Sequence, residues 1–401
     1  MEHLDHVTRR VIASHAIAAL AVSLPWPLLL VLVDEKTGDP MLLGLVGAAR
    51  MLPYVAVSWA GGRLADAMRR DLIVRASLVA RGALLLGTAV AVVGDRLWLA
   101  VAATTLAVAV GTPAYPAQVA AMPGIAGSQR RRATDVLVTV EVGAFVVGAS
   151  IGGLLLHPAT RAVLPWVAVL MTVVALVLVR PVSMPAPRRL SNDRRRPSAS
   201  ATLRRAPAAC RAIAVMAAVN LVVALVAIAL LPLAVDSWSS DATGYGLATG
   251  VFGFAALGAP LLRRVAPTPE KAVRRGLCLL AVGLLLVVPV PSVGWALVPL
   301  AVAGAAAVSI EAGATGVLQE TVSDEVRASV LGINDSVIIA AALVGSLVAP
   351  MAVELLGGAP LMGGVGTVVL LVAWWARPGV KTAPEPGVRQ PAQLSVQWTR
   401  T

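Results

Sequence analysis

RPVSMPAPRRLSNDRRRPSASATLRRAPAACR, running from Arg180 to Arg211, carries nine arginines among prolines, serines and alanines. A stretch like this is too charged to enter hydrocarbon and too rich in proline and charge to build a buried core. Apolar sequence flanks it on both sides. Six hydrophobic runs long enough to cross a bilayer precede it, at 11–33, 41–61, 72–93, 97–122, 134–156 and 162–179. Six more follow, at 210–233, 244–262, 275–291, 293–317, 328–356 and 360–376. The basic segment therefore divides the chain into two membrane-spanning halves of equal helix number.

Composition points the same way. The chain is 58% hydrophobic and 13% charged, with a mean hydropathy of +0.83, where soluble domains carry roughly 25% charged residues. At about 20 residues per crossing, twelve helices take up about 240 residues and leave short loops. The expected fold is an all-α membrane protein with 12 transmembrane helices in two six-helix bundles. Residues 1–179 form the first bundle, 180–209 a basic cytoplasmic linker, 210–377 the second bundle and 378–401 a disordered cytoplasmic tail rich in proline. A net charge of +12 is high enough to raise nucleic acid as a partner, but that reading needs a soluble basic face. Here the arginines lie in loops between apolar runs, so the bilayer is the expected partner and nucleic acid is not.

Lysine and arginine counts set the orientation. With the N-terminus inside, 27 fall in cytoplasmic segments and only Lys36, Arg96 and Arg161 fall outside; Arg50, Arg75 and Arg81 lie within spans. The chain is thus expected to be multi-pass in a cell (inner or plasma) membrane, with both termini and the linker cytoplasmic. The first run, from Val11 to Val33, has no small-x-small cleavage site and reads as a retained helix rather than a signal peptide. Cys210 and Cys278 lie at or inside spans and read as packing residues, not as a disulfide or metal pair.

The halves carry a trace of repetition. Arg132-Ala133-Thr134, then Leu137 and Glu141, open the fifth span; Arg327-Ala328-Ser329, then Leu331 and Asp335, open the eleventh. Each places arginine at the cytoplasmic edge and a carboxylate one helical turn past a leucine. Parallel repeats of this kind occur in transporters built from two copies of one bundle.

Four stretches carry a family likeness. Gly62-Arg63-Leu64-Ala65-Asp66-Ala67-Met68-Arg69-Arg70 resembles the signature loop of the major facilitator superfamily, roughly G-x-L-a-D-R-x-G-R-R with one residue deleted. Gly62, Leu64, Asp66, Arg69 and Arg70 fit; Ala67 replaces the basic residue, and the following glycine is missing. Pro116-Ala117-Gln118-Val119-Ala120-Ala121-Met122-Pro123 is similar to the fourth-span ending of drug and siderophore exporters in that superfamily. Glu141 followed by Gly148-Ala149-Ser150-Ile151-Gly152-Gly153 resembles their E…G-P-x-x-G-G, with Ala149 in place of the proline. Leu318-Gln319-Glu320-Thr321-Val322-Ser323-Asp324-Glu325-Val326-Arg327 resembles the loop before their eleventh span, with Ser329 replacing a later arginine. The likeness implies a drug/siderophore:proton antiporter fold whose halves rock about a midplane site.

Ionisable side chains at membrane depth are the functional leads, since each is costly unless paired or hydrated. Glu141, Glu311 and Asp335 are candidates for proton coupling, because a carboxylate in a poorly hydrated cavity can gain and lose a proton near neutral pH. For Glu141 the alternatives are an ion pair with Arg50 or Arg81 and direct contact with substrate. Arg50, Arg81, Asn220 and Trp26 are candidates for the substrate cavity, Trp26 because Pro25 and Pro27 bend the first helix around it; a lipid-facing indole is the alternative for Trp26 and a helix–helix hydrogen bond for Asn220. His15 reads as a packing residue. Ala144, Gly148 and Gly152 form a small stripe suited to close helix contact.

The chain has no G-x-x-x-x-G-K-[ST] phosphate loop, no H-E-x-x-H and no Cys/His cluster, so neither an enzyme nor a cofactor is expected. The partners expected are a small-molecule substrate, a proton gradient and the lipid bilayer. The expectation is proton-coupled efflux of a small amphipathic compound: a drug, an antibiotic or a siderophore. Import of a metabolite on the same fold is the alternative. A non-transporting sensor or lipid-moving protein is a third.

Overall fold

The computed structural model describes residues 4–155, 161–184, 198–239 and 242–375. Every regular element among them is helical. In the first half, α1 (His6–Ser23) and α2 (Trp26–Thr37) make the first crossing, and α3 (Pro40–Ala49) and α4 (Leu52–Ala67) the second. The third is α5 (Arg70–Val93), the fourth α6 (Leu97–Gly111) with α7 (Ala114–Ala126), the fifth α8 (Arg130–Leu154) and the sixth α9 (Leu164–Val179). A short helix, α10 (Ala199–Arg205), lies in the basic linker, capped by the Ser198 hydroxyl. The second half continues with α11 (Pro207–Pro232), then α12 (Ala242–Phe254) and α13 (Ala259–Arg264) joined by a 3-10 turn. It closes with α14 (Pro269–Val287), α15 (Val293–Thr321), α16 (Arg327–Leu356) and α17 (Gly358–Trp375). The expected disordered tail at 378–401 lies outside the described residues, as does the middle of the linker at 185–197.

Proline explains where crossings break. The first, second, fourth and eighth are interrupted beside Pro25, Pro53, Pro113 and Pro260, because proline lacks a backbone N–H and clashes with the preceding turn. The fifth runs unbroken over 25 residues as α8. It carries Ala149 where exporters carry proline, and the helix continues through that point without interruption.

The exterior is what a bilayer requires. Leu170, Trp295, Val298, Leu347 and Leu355 are each more than 60% exposed, which only a lipid solvent makes favourable. Exposed tryptophans cluster at the two ends of the bundle. Trp98, Trp166 and Trp295 open α6, α9 and α15 at one end, while Trp374 and Trp375 close α17 at the other. Amphipathic indoles prefer the two headgroup levels. Seven helical stretches among the described residues are long and apolar enough to cross a membrane; one of them, Leu97–Ala144, spans 48 residues and makes two crossings. The remaining crossings are shorter, broken by proline or, in α14, charged over the first two turns (Glu270, Lys271, Arg274 and Arg275).

Within the first half α1 packs on α8 and α9, and α5 packs on α6 and α9. In the second, α11 packs on α16, and α14 on α15 and α17. The halves meet along α4–α16, α7–α16, α8–α13 and α8–α15. The small stripe on α8 works as a contact face. A methyl group added at Gly148 would lie 2.8 Å from the Ser23 Cβ, and one at Gly152 would meet the Leu24 carbonyl. The cysteines are not packing residues: both are exposed free thiols, and the Cys210 Sγ–H donates to the Leu203 carbonyl at 3.1 Å.

Candidate functional site

The interior of the bundle holds a cavity of about 350 Å³ lined by residues of both halves. Its walls bring together Glu141 from α8, Glu311 from α15 and Asp335 from α16, along with Arg81 from α5 and Asn220 from α11. Each carboxylate lies ~12–16 Å along its helix from the end carrying the signature loop, which places it near the bilayer midplane. The three are close enough to interact electrostatically. Glu141 and Asp335, the paired positions of the repeat, face the same space from opposite halves.

Glu141 has a partner that the sequence did not announce. The His15 Nε2 lies 2.7 Å from the Glu141 Oε2, and the imidazole stacks on the Tyr115 ring at 5.4 Å between centroids. His15, read from the sequence as a packing residue, therefore lines the cavity beside Glu141. Arg81 does not bond Glu141; its guanidinium donates to the Ala18 carbonyl at 3.2 Å. Arg50 sits one layer behind the wall, over the Trp26 ring at 5.6 Å, and donates to the Ser23 hydroxyl at 3.3 Å. Asn220 lines the cavity and donates to the Met216 carbonyl at 3.0 Å. That bond satisfies one donor locally and leaves its carbonyl oxygen for the cavity.

Trp26 needs correcting. It is 1% exposed and packs among Val22, Leu29, Val33 and Val46, neither on the cavity wall nor toward lipid. The break at Pro25 turns α2 so that the indole points between helices. Truncating it removes a large packed side chain, so Trp26→Ala should cost about 3–5 kcal/mol of stability. Thermal unfolding in detergent checks this; an unchanged melting temperature with an altered substrate profile would return Trp26 to the cavity.

Tyr54, Tyr115 and Gln118 also line the cavity. Only three tyrosines occur in 401 residues, and two of them lie here. That scarcity was the signal available; a search restricted to charged residues passes over it. Gln118 sits inside the Pro116–Pro123 motif, buried with its Oε1 unpartnered.

At the signature-loop end the halves are latched. The Asp66 carboxylate accepts the backbone N–H of Ala328 at 3.0 Å and of Ser329 at 2.7 Å, capping the start of α16 across the two halves. Capping works because the first N–H groups of a helix have no partners of their own and carry partial positive charge. Arg70, 1% exposed, donates to the Asp324 carboxylate at 3.1 Å and to the Ala120 carbonyl at 3.1 Å. Arg327 joins Asp324 at 2.7 Å. Arg69 does not cross the interface; it pairs with Asp71 at 2.9 Å on its own half. Gln319 donates to the Val119 carbonyl at 2.9 Å and accepts from the Thr134 hydroxyl at 3.0 Å. The loops singled out in the sequence therefore meet in space. Gly62 and Gly332 permit the approach, since a Cβ on either would collide with the backbone of Ala328 or Ser58.

Twelve crossings in two bundles, with a cavity between them and a latch at one end, are the architecture of a membrane transporter. The chain belongs to the Major Facilitator Superfamily, whose family model matches residues 11–338. Among proteins of curated function, none is similar to it in sequence. Solved structures share the fold at low identity. The human organic anion transporter MFSD10 (TETRAN) is 18% identical with a TM-score of 0.74, over 92% of this chain and 99% of that one. The E. coli fucose:proton symporter FucP is 13% identical with a TM-score of 0.71, over 92% and 99%. An outward-facing bacterial homologue of the iron transporter ferroportin is 14% identical with a TM-score of 0.71, over 93% and 98%.

Proposed function

We propose that the protein is a proton-coupled exporter of small amphipathic compounds, of the drug/siderophore antiporter branch. The observation that carries this reading is the cavity in which Glu141, Glu311, Asp335 and His15 share one apolar space. Three carboxylates there face one imidazole and one guanidinium, so acid groups outnumber basic ones. Buried charge left uncompensated is expensive, and protons taken up from one side balance it. A cationic amphipathic substrate would balance it equally well, and competition between the two is the basis of exchange. The midplane site, shut off at the signature-loop end, then opens to either side as the bundles at 1–179 and 210–377 rock. The arginine bias supports a cytoplasmic position for that end and for both termini in a cell membrane.

The altered signature loop does not argue for a transporter that has lost transport. Asp66 and Arg70 both cross to the second half, so the latch holds without the basic residue replaced by Ala67. The test is a proton-flux assay in vesicles carrying the protein, challenged with a panel of amphipathic cations, neutral compounds and siderophores. Substrate-dependent collapse of an imposed pH gradient is expected. Flux with no proton movement across the whole panel contradicts the proposal, and uptake along with protons would make the protein an importer.

A further inference from the structure

A second cavity, of about 80 Å³, lies between the halves beside the latch. Its walls carry Arg130, Arg131 and Asp135 from α8, Arg263 from α13, Glu320 from α15 and Arg327 from α16. Four guanidinium groups thus face two carboxylates around one small space. Arg263 is the telling residue. It is 3% exposed and gives its Nε–H to the Asp135 Oδ1 at 2.8 Å, yet both terminal nitrogens are buried without an acceptor. The Arg327 Nε is likewise buried and unpartnered. A guanidinium fork with unused donors matches the paired oxygens of an oxyanion.

The backbone adds to the same field. α8, α14 and α16 begin at this pocket, at Arg130, Pro269 and Arg327, and the partial positive charges of their N-termini sum there. Arg130 is drawn toward Glu320 at 3.7 Å, and Arg131 donates to the Pro267 carbonyl. The lining as a whole remains positive.

We infer that this pocket binds a phosphate-class oxyanion, supplied as free phosphate or as the headgroup of an anionic lipid, which ties the first half to the second. Its ligands come from both halves, so the bound anion holds the signature-loop end shut. The inference does not depend on which substrate occupies the central cavity.

Thermal unfolding of the full-length protein in detergent, with inorganic phosphate titrated against chloride at constant ionic strength, tests the site. A saturable rise in Tm is expected for the wild type and for Arg264→Gln, whose exposed side chain lies outside the pocket. The rise should vanish in Arg263→Gln and weaken in Arg131→Gln. Arg131→Gln decides the matter if Arg263→Gln fails to fold, because it leaves the Arg263–Asp135 pair intact. Nanodiscs of phosphatidylcholine with and without phosphatidic acid separate the sources. A rise only with phosphatidic acid, lost in the same variants, assigns the site to a lipid headgroup. Equal rises in wild type and both pocket variants, or no saturable rise from either source, overturn the inference.

Discussion

Asp66→Ala is expected to spring the latch. The carboxylate holds two backbone N–H groups at the start of α16, at 3.0 and 2.7 Å. Hydrogen bonds to a charged group contribute about 1.5–3 kcal/mol each. Losing both weakens the latched state by about 3 kcal/mol or more, which is about a hundredfold in its population relative to the open one. Met68 and Ser323 lie on opposite halves at this end and are exposed. Spin labels at those positions should report a single short distance in the wild type and a broad or longer one in Asp66→Ala. An unchanged distance would show that Arg70 and Asp324 hold the latch without Asp66. Gly62→Leu should act in the same direction by another route, since its side chain cannot fit against the Ala328 carbonyl.

Glu141→Gln should abolish proton-driven transport while leaving the protein folded. Glutamine keeps the shape of the side chain and can still hydrogen-bond the His15 Nε2, now 2.7 Å from the carboxylate. It cannot carry a proton between the two sides. Substrate moving down its own gradient should therefore still cross, and only the pH-driven component should disappear. His15→Gln tests the partner: it removes the titratable group facing Glu141, so transport should persist with a changed pH dependence. Loss of all flux in Glu141→Gln, driven and passive alike, would instead make the residue a substrate ligand or a structural pin.

The parts of this molecule that were readable in the sequence are those that a bilayer dictates. A crossing needs about 20 apolar residues, so the spans and the basic divider could be counted directly. Glu141, Glu311, Asp335 and Arg81 stood out because charge inside an apolar run is rare, and the structure places all four on one cavity. Other features depended on contacts that spacing does not encode. His15 and Glu141 are 126 residues apart, and histidine inside a hydrophobic run carries no obligatory charge to mark it. Buried charge in Arg81 suggests a carboxylate partner, but the carbonyl of Ala18 serves it. Trp26 failed for a different reason: the helix breaks at Pro25, so the phase of the residues before the break does not tell which way the indole turns. The loop motifs named the latch residues, yet only folding shows that Asp66 caps a helix from the other half. Arg69, from the same motif, stays on its own side.

The central claim is that proton movement through the Glu141 cavity drives substrate movement. It is tested most directly by imposing a pH gradient on vesicles containing either wild type or Glu141→Gln and measuring substrate accumulation. The account predicts accumulation against a concentration gradient in wild type, and only equilibration in Glu141→Gln. Equal accumulation in both, or accumulation indifferent to the pH gradient, would contradict it.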